Sequence, residues 1–209
     1  MTILFKQNKK RIVRGPHRPG LRKLSGLFVF QGRNKMIETI QGMTHLLASF
    51  SSAAVTFATA DNSIAATGIG TNTVTSGEKF VASGPAQAGN NRTFTAVTVT
   101  ANKIIVLETV TAESAGALVV LNEEYQSGYK QAFNFGKIVG AISPSKDCTA
   151  FLDFSDDKIN ADFTKILPVN AGVPLPIDET VRAHYVQFRV RNNGTTQTTI
   201  RAFINGLKG

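Results

Sequence analysis

The chain has 209 residues, a formal net charge of +9, one cysteine and no tryptophan. That length suits one domain with an insertion, or two small domains, and is enough to bury a core. Cys148 alone excludes an internal disulfide, no Cys/His cluster has zinc spacing, and no apolar run approaches the roughly 20 residues that span a bilayer.

Residues 1–26 read as an extended basic arm. Up to residue 37 the chain carries Lys6, Lys9, Lys10, Arg11, Arg14, Arg18, Arg22, Lys23, Arg33 and Lys35, and no acid before Glu38. Taking that +10 from the total of +9 leaves −1 for everything that follows. The protein is thus a nearly neutral body with a basic arm. Gly15-Pro16 and Pro19-Gly20 bar regular helix or central strand, because proline fixes φ and lacks a donor. They also argue against the amphipathic helix of a transit peptide, and the N-terminus lacks the apolar stretch and cleavage site of a secretory signal. Ile12-Val13, Leu21 and Leu24 set apolar anchors between the charges.

Residues 27–55 are expected to be linking strands. Leu27–Phe30 is a short strand candidate, and Leu46–Ser52 a candidate first strand of a later sandwich. From 56 to 122, Thr/Val/Ile runs alternate with Gly, Asn and Pro turn signals, which indicates a small β-barrel or roll. Its strands are expected at Ser63–Thr67, Lys79–Ser83, Thr93–Thr100, Ile104–Leu107 and Ala117–Leu121, with Phe94, Val97, Val99, Ile104 and Val106 in the core.

Residues 123–209 have the pattern of an antiparallel β-sandwich. Lys137–Ile142, Ala150–Phe154 and Phe163–Val169 read as strands, and Val173–Pro176 as an edge or linker. In Tyr185–Arg191 the residues alternate strictly, placing Val186, Phe188 and Val190 inward and Arg189 and Arg191 outward. Asn192-Asn193-Gly194 is expected to supply a positive-φ turn, with Thr198–Ile204 returning as the hairpin partner. The fold class is all-β.

Two stretches resemble modules of tailed-bacteriophage structural proteins. Between residues 60 and 121, Gly89-Asn90-Asn91-Arg92-Thr93-Phe94-Thr95-Ala96-Val97, then a strand ending in Glu108-Thr109, then Thr111-Ala112-Glu113-Ser114-Ala115-Gly116-Ala117, resembles a small β module of such proteins. The last sixty residues are similar to a phage β-sandwich module: Ser145-Lys146-Asp147 at its start, the acidic turn Ser155-Asp156-Asp157, and Tyr185–Asn192 followed by Gln197–Arg201. The commoner form has a Trp after the acidic turn, where this chain offers Phe163. The resemblance implies a non-enzymatic virion component of the capsid, the head–tail junction or the tail, assembled in the host bacterial cytoplasm. It carries no catalytic residues over to this chain.

Few residues have the spacing of a reactive or ligand-binding site. Ser143-Pro144-Ser145-Lys146 has the spacing of an acyl-enzyme nucleophile but lacks the companion motifs. Asp153, Asp156, Asp157 and Asp162 are hard oxygen ligands without the spacing of a calcium loop. His17, His45 and His184 share no ligand spacing, and Gly68-Ile69-Gly70 lacks the third glycine of a nucleotide fingerprint. Asn91 and Asn193 are glycosylation sequons by spelling only. No cofactor, metal, membrane or small-molecule substrate is expected.

The ten arm cations are therefore the candidate partner-binding residues. Clamping other virion subunits in a homo-oligomer is the preferred reading. DNA contact through counterion release is secondary, because few aromatics, Phe5 and Phe28 among them, are available to stack on bases. A receptor- or glycan-binding fibre component and a DNA-contacting packaging protein are the alternatives.

Overall fold

A computed structural model describes residues 37–43, 46–71 and 73–208. The ten arm cations, Leu27–Phe30, His17 and His45 lie outside them.

The described chain is all-β and antiparallel, without an α-helix. Its strands are β1 (Ile37–Met43), β2 (Ser49–Ser52), β3 (Thr56–Ala58), β4 (Ser63–Ala65), β5 (Lys79–Ser83), β6 (Thr93–Thr100), β7 (Lys103–Val106) and β8 (Val119–Gln126). There follow β9 (Lys130–Gln131), β10 (Lys137–Pro144), β11 (Cys148–Ser155), β12 (Phe163–Val169), β13 (Leu175–Thr180), β14 (Tyr185–Asn192) and β15 (Ile200–Leu207).

One sheet has the order β1-β15-β10-β13. A longer sheet runs β12-β11-β14-β8-β5-β6-β7-β4-β3, with β2 also on β8 and β9 on β14. The inner face of the first sheet (Ile138, Ile142, Ile177, Ile204) shares one core with Leu152, Phe154, Val186, Phe188 and Val190 of β11 and β14. Two antiparallel layers around a common core make a sandwich. Close approach within the first sheet needs a bare backbone at Gly140, where a Cβ would run into the Phe203 carbonyl.

A second core gathers Phe57, Ile64, Phe80, Phe94, Ile104 and Leu121 inside the strands from β2 to β8. Phe94 stands between Phe57 and Phe80, with ring centroids 6.5 and 5.8 Å away. The ends of this strand path, β2 and β3, are joined by the turn at 53–55, and the outer side of β3 meets Glu113 in an isolated bridge. The stretch that builds the second core lies, in sequence, between Leu47 and Ala132 of the first.

β8 serves both cores. Val119 and Leu121 face the second core, while Tyr125 packs on the first. Leu46–Ser52 divides: Leu47 enters the sandwich core, and β2 pairs with the Val119–Asn122 half of β8. β1, a little earlier in the chain, is the strand that joins the first sheet, against β15.

Two sequence expectations need correction. Val97 is 47 % exposed rather than buried. The β6–β7 register shifts between Ala96 and Thr98, so an extra residue reverses the alternation there and turns Val97 outward.

The second correction concerns the expected hairpin. β14 pairs with β11, β8 and β9, whereas β15 pairs with β10 and β1, so the connection crosses from one layer to the other. Both strands carry an inward apolar row, and two such rows bury each other best face to face. Asn192, Asn193 and Gly194 have no positive φ. The crossing is held instead by two buried amides. Asn192 Nδ2 donates to the carbonyls of Leu47, Ala48 and Thr195. Gln197 Oε1 accepts from the Ser145 and Lys146 amides, while its Nε2 donates to Lys146 O and Asn192 Oδ1.

Candidate functional site

Strand register sets four rows side by side on the outer face of the sandwich. β12 contributes Thr164, β11 Phe151 and Asp153, β14 Arg189 and Arg191, and β8 Glu124 and Gln126. The Arg189 guanidinium bonds Asp153 through Nε and Nη2, and reaches Glu124 Oε1 at 3.0 Å through Nη1. Arg191 holds the other Glu124 oxygen, with Nε at 2.8 Å and Nη2 at 2.7 Å. Both guanidinium groups lie over the Phe151 ring, 4.4 and 5.2 Å from its centroid. Thr164 Oγ1 donates to Asp153 at 2.7 Å.

The arginines read as outward from the alternation do leave the core, but they roof over carboxylates. The Glu124 and Asp153 side chains are only 1 % and 3 % exposed. Burial alone would raise the Glu124 carboxyl; the Gln126 amide, Arg191 and Arg189 outweigh it and hold it below its usual range.

Beside this layer a groove follows the seam between the two cores. β5 begins at Lys79, opposite Glu124, and leaves the Tyr125–Gln126 end of β8 open on that side. A hollow of about 390 Å³ forms there, lined by Glu78, Lys79, Glu123, Glu124 and Gln126 among others. A second hollow of about 480 Å³ adjoins it and shares Glu78 and Glu123. Leu46, Ala48 and Val74 give it apolar walls, and the ionisable groups among its described lining are those two carboxylates.

Both carboxylates are held by the local backbone. Glu123 follows Leu121 on the core-facing side of β8, pairs in register with Phe80, and accepts the Ala48 amide at 2.7 Å. Glu78 Oε2 accepts the Thr75 amide at 2.6 Å. Sequence reasoning passed over this pair. The available signal was two adjacent acids, Glu123-Glu124, inside a strand-like run from Leu118 to Tyr125.

The other sequence candidates are spread apart. Asp153 belongs to the arginine layer, whereas Asp156, Asp157 and Asp162 shape the turn after β11. Asp157 accepts the Ile159 and Asn160 amides, and Asp162 accepts that of Asp156. These backbone donors, Asn160 first, pull Asp157 down to about 2. Among the described residues no group of three or more His, Cys, Asp or Glu is arranged to hold a metal.

His184 meets Asp156 at 2.7 Å on the surface. Ser145, from the nucleophile-like motif, sits at the end of β10, its hydroxyl accepting the Thr198 and Thr199 amides. Asn91 and Asn193 use their side chains to fix the Gly84–Pro85 turn and to reach Thr149. Cys148 is buried, and burial together with the Asp147 charge pushes its thiol up to about 12.

Compared with protein-family models, with curated proteins and with solved structures, the chain matches none.

Proposed function

We propose that this chain is a non-enzymatic structural component of a tailed-phage virion, assembled in the host bacterial cytoplasm, whose basic N-terminal arm clamps neighbouring copies. The observation that carries this reading is the separation of charge along the chain: +10 in the first 37 residues and −1 in the rest. Such a division gives each copy a cationic tether and a body that does not repel it.

Three further features support it. The two stretches that resemble phage modules fall on the two β cores. The arginine layer and the buried amide crossing stiffen the sandwich, as a subunit under lattice load requires. The arm's apolar anchors, spaced between cations, suit an uneven protein surface better than a uniform phosphate backbone. Many weak contacts of this kind sum by avidity.

Deleting residues 1–26 is the direct test, since the described residues of both cores start at Ile40. The full chain should form oligomers by light scattering and negative-stain imaging, and the truncated chain should remain folded without forming them. Equal assembly by both chains overturns the clamp. A gel shift across salt separates the DNA reading: nanomolar affinity at physiological salt with a steep salt slope would favour nucleic acid as the arm's partner.

A further inference from the structure

The chain contains two Asn-Gly pairs, Asn193-Gly194 and Asn205-Gly206. In such a pair the glycine has no Cβ to crowd its own nitrogen, so that nitrogen can reach the asparagine side-chain carbonyl. The fold treats the two pairs in opposite ways. Asn205-Gly206 lies within β15, paired with β1 on one side and with β10 on the other. The Phe135 ring fills the space where a Gly206 side chain would stand. Asn193-Gly194 follows β14 in the crossing between layers, and Asn193 is exposed. There the Gly194 amide is tied by a long bond of 3.3 Å to Asn192 Oδ1, and Asn193 Nδ2 donates to Thr149 Oγ1. We infer that Asn193 is a site of spontaneous self-modification, converting through a cyclic imide with Gly194 to aspartate or isoaspartate, while the sheet protects Asn205.

The step needs no oxidant or reductant. The Gly194 nitrogen bonds to Asn193 Cγ, the Cγ–Nδ2 bond breaks, and ammonia leaves with the proton of the Gly194 amide. Water then opens the imide. Cleavage on the Cγ side gives aspartate, and cleavage at the main-chain carbonyl gives isoaspartate.

For the attack, the asparagine side chain must fold back over the peptide that follows it, and the glycine amide must be free. In the crossing this takes the loss of two side-chain contacts, with no strand displaced. In β15 it takes an inner strand out of the sandwich, together with the buried Ala202 and Ile204, which approaches global unfolding.

The two products load the crossing differently. Aspartate keeps the chain length, and the Thr149 hydroxyl can turn to donate to it. Isoaspartate inserts a methylene into the main chain between Asn192 and Gln197, which are buried and bonded to each other at 3.1 Å. It therefore strains the two amides that hold the layers' connection. This chemistry does not depend on the clamp, because it concerns the crossing alone.

The full chain, aged in neutral buffer, is digested and read by mass spectrometry, with isoaspartate labelled by an isoaspartyl methyltransferase. Asn193 should convert about tenfold faster than Asn205, or more. In denaturant the two should convert at similar rates. Gly194→Ala should suppress conversion at Asn193 with the fold intact, since Gly194 has no positive φ and the added Cβ would meet Lys146 at an ordinary 3.4 Å. The isoaspartyl fraction should unfold at lower denaturant than the parent, whereas Asn193→Asp should match it.

Equal rates at Asn193 and Asn205 in the folded chain overturn the assignment. So does a gap that persists in denaturant, because it would arise from sequence and not from the fold. Conversion that survives Gly194→Ala removes the imide route, and an isoaspartyl fraction as stable as the parent removes the strain on the crossing.

Discussion

Glu78, Glu108 and Glu113 belong to the module around the second core, and each turns its carboxylate from outside a strand to backbone amides: Thr75 for Glu78, Thr95 for Glu108, and Ala86 with Gln87 for Glu113. On the outer face of the sandwich, Asp153 and Glu124 instead meet arginine side chains on a neighbouring strand. The difference follows from position. A carboxylate at a turn finds amides that no ladder uses, so it shapes the chain where secondary structure stops. Asp153 and Glu124, on the outer face in mid-strand, find the ladder amides beside them already paired and are matched by side chains across the sheet, whereas Glu123, on the other face of β8, reaches the Ala48 amide just before β2. Removing the first kind frees a loop, whereas removing a partner of the second strands a buried charge.

The largest contrast is expected at Arg189. Arg189→Ala leaves Asp153 buried with its main partner gone and should cost about 3–5 kcal/mol in denaturant unfolding. Replacing the set together, with Arg189→Met, Arg191→Met, Asp153→Leu and Glu124→Leu, should return stability to within about 2 kcal/mol of the parent, because no charge is left stranded. A small loss from Arg189→Ala alone would show that this layer behaves like exposed pairs.

Next in size is the crossing between layers. Gln197→Ala leaves the Ser145 and Lys146 amides without their side-chain acceptor and should destabilise by about 2–3 kcal/mol. In the module, Glu113→Ala should cost about 1 kcal/mol, with faster hydrogen exchange confined to the amides of Ala86 and Gln87. If it unfolds the chain as readily as Arg189→Ala, the distinction between turn and face carboxylates fails.

Sequence and structure agree most closely where one face of a strand is buried and the other is not. Lys79–Ser83, Thr93–Thr100 and Phe163–Val169 have the expected bounds, and Val186, Phe188 and Val190 are fully buried. The fate of the next strand was not legible, because Asn-Asn-Gly spells a hairpin whether or not the chain turns back. What decides against it is the burial of Asn192 and Gln197, and a polar side chain acquires that role only from residues such as Leu47 and Lys146, distant in sequence. Val97 was misread for a local reason: a bulge shifts the alternation by one residue and leaves no mark in composition. The groove stayed hidden because Glu78 and Glu123 lie 45 positions apart and are brought together only when β5 pairs with β8.

The acidic turn after β11 lies in the sandwich half but follows the module's rule, and it carries the smallest expected effect. Asp157 is held down to about 2 by the Asn160 and Ile159 amides, against an ordinary value of 3.8. A carboxyl depressed in the folded state contributes stability at pH above its unfolded value and loses it as pH falls toward the folded one. The turn should therefore be intact above about pH 4 and loosen progressively toward pH 2, with the Ile159 and Asn160 amide resonances moving together in an NMR titration. Asp157→Asn should abolish that coupled movement while leaving Phe154 and Phe188 packed. Had this carboxylate been matched to a cation, as Asp153 is to Arg189, added salt would weaken the titration. With backbone amides as its partners, the midpoint should barely respond to salt, and a strong response would move this turn to the other side of the comparison.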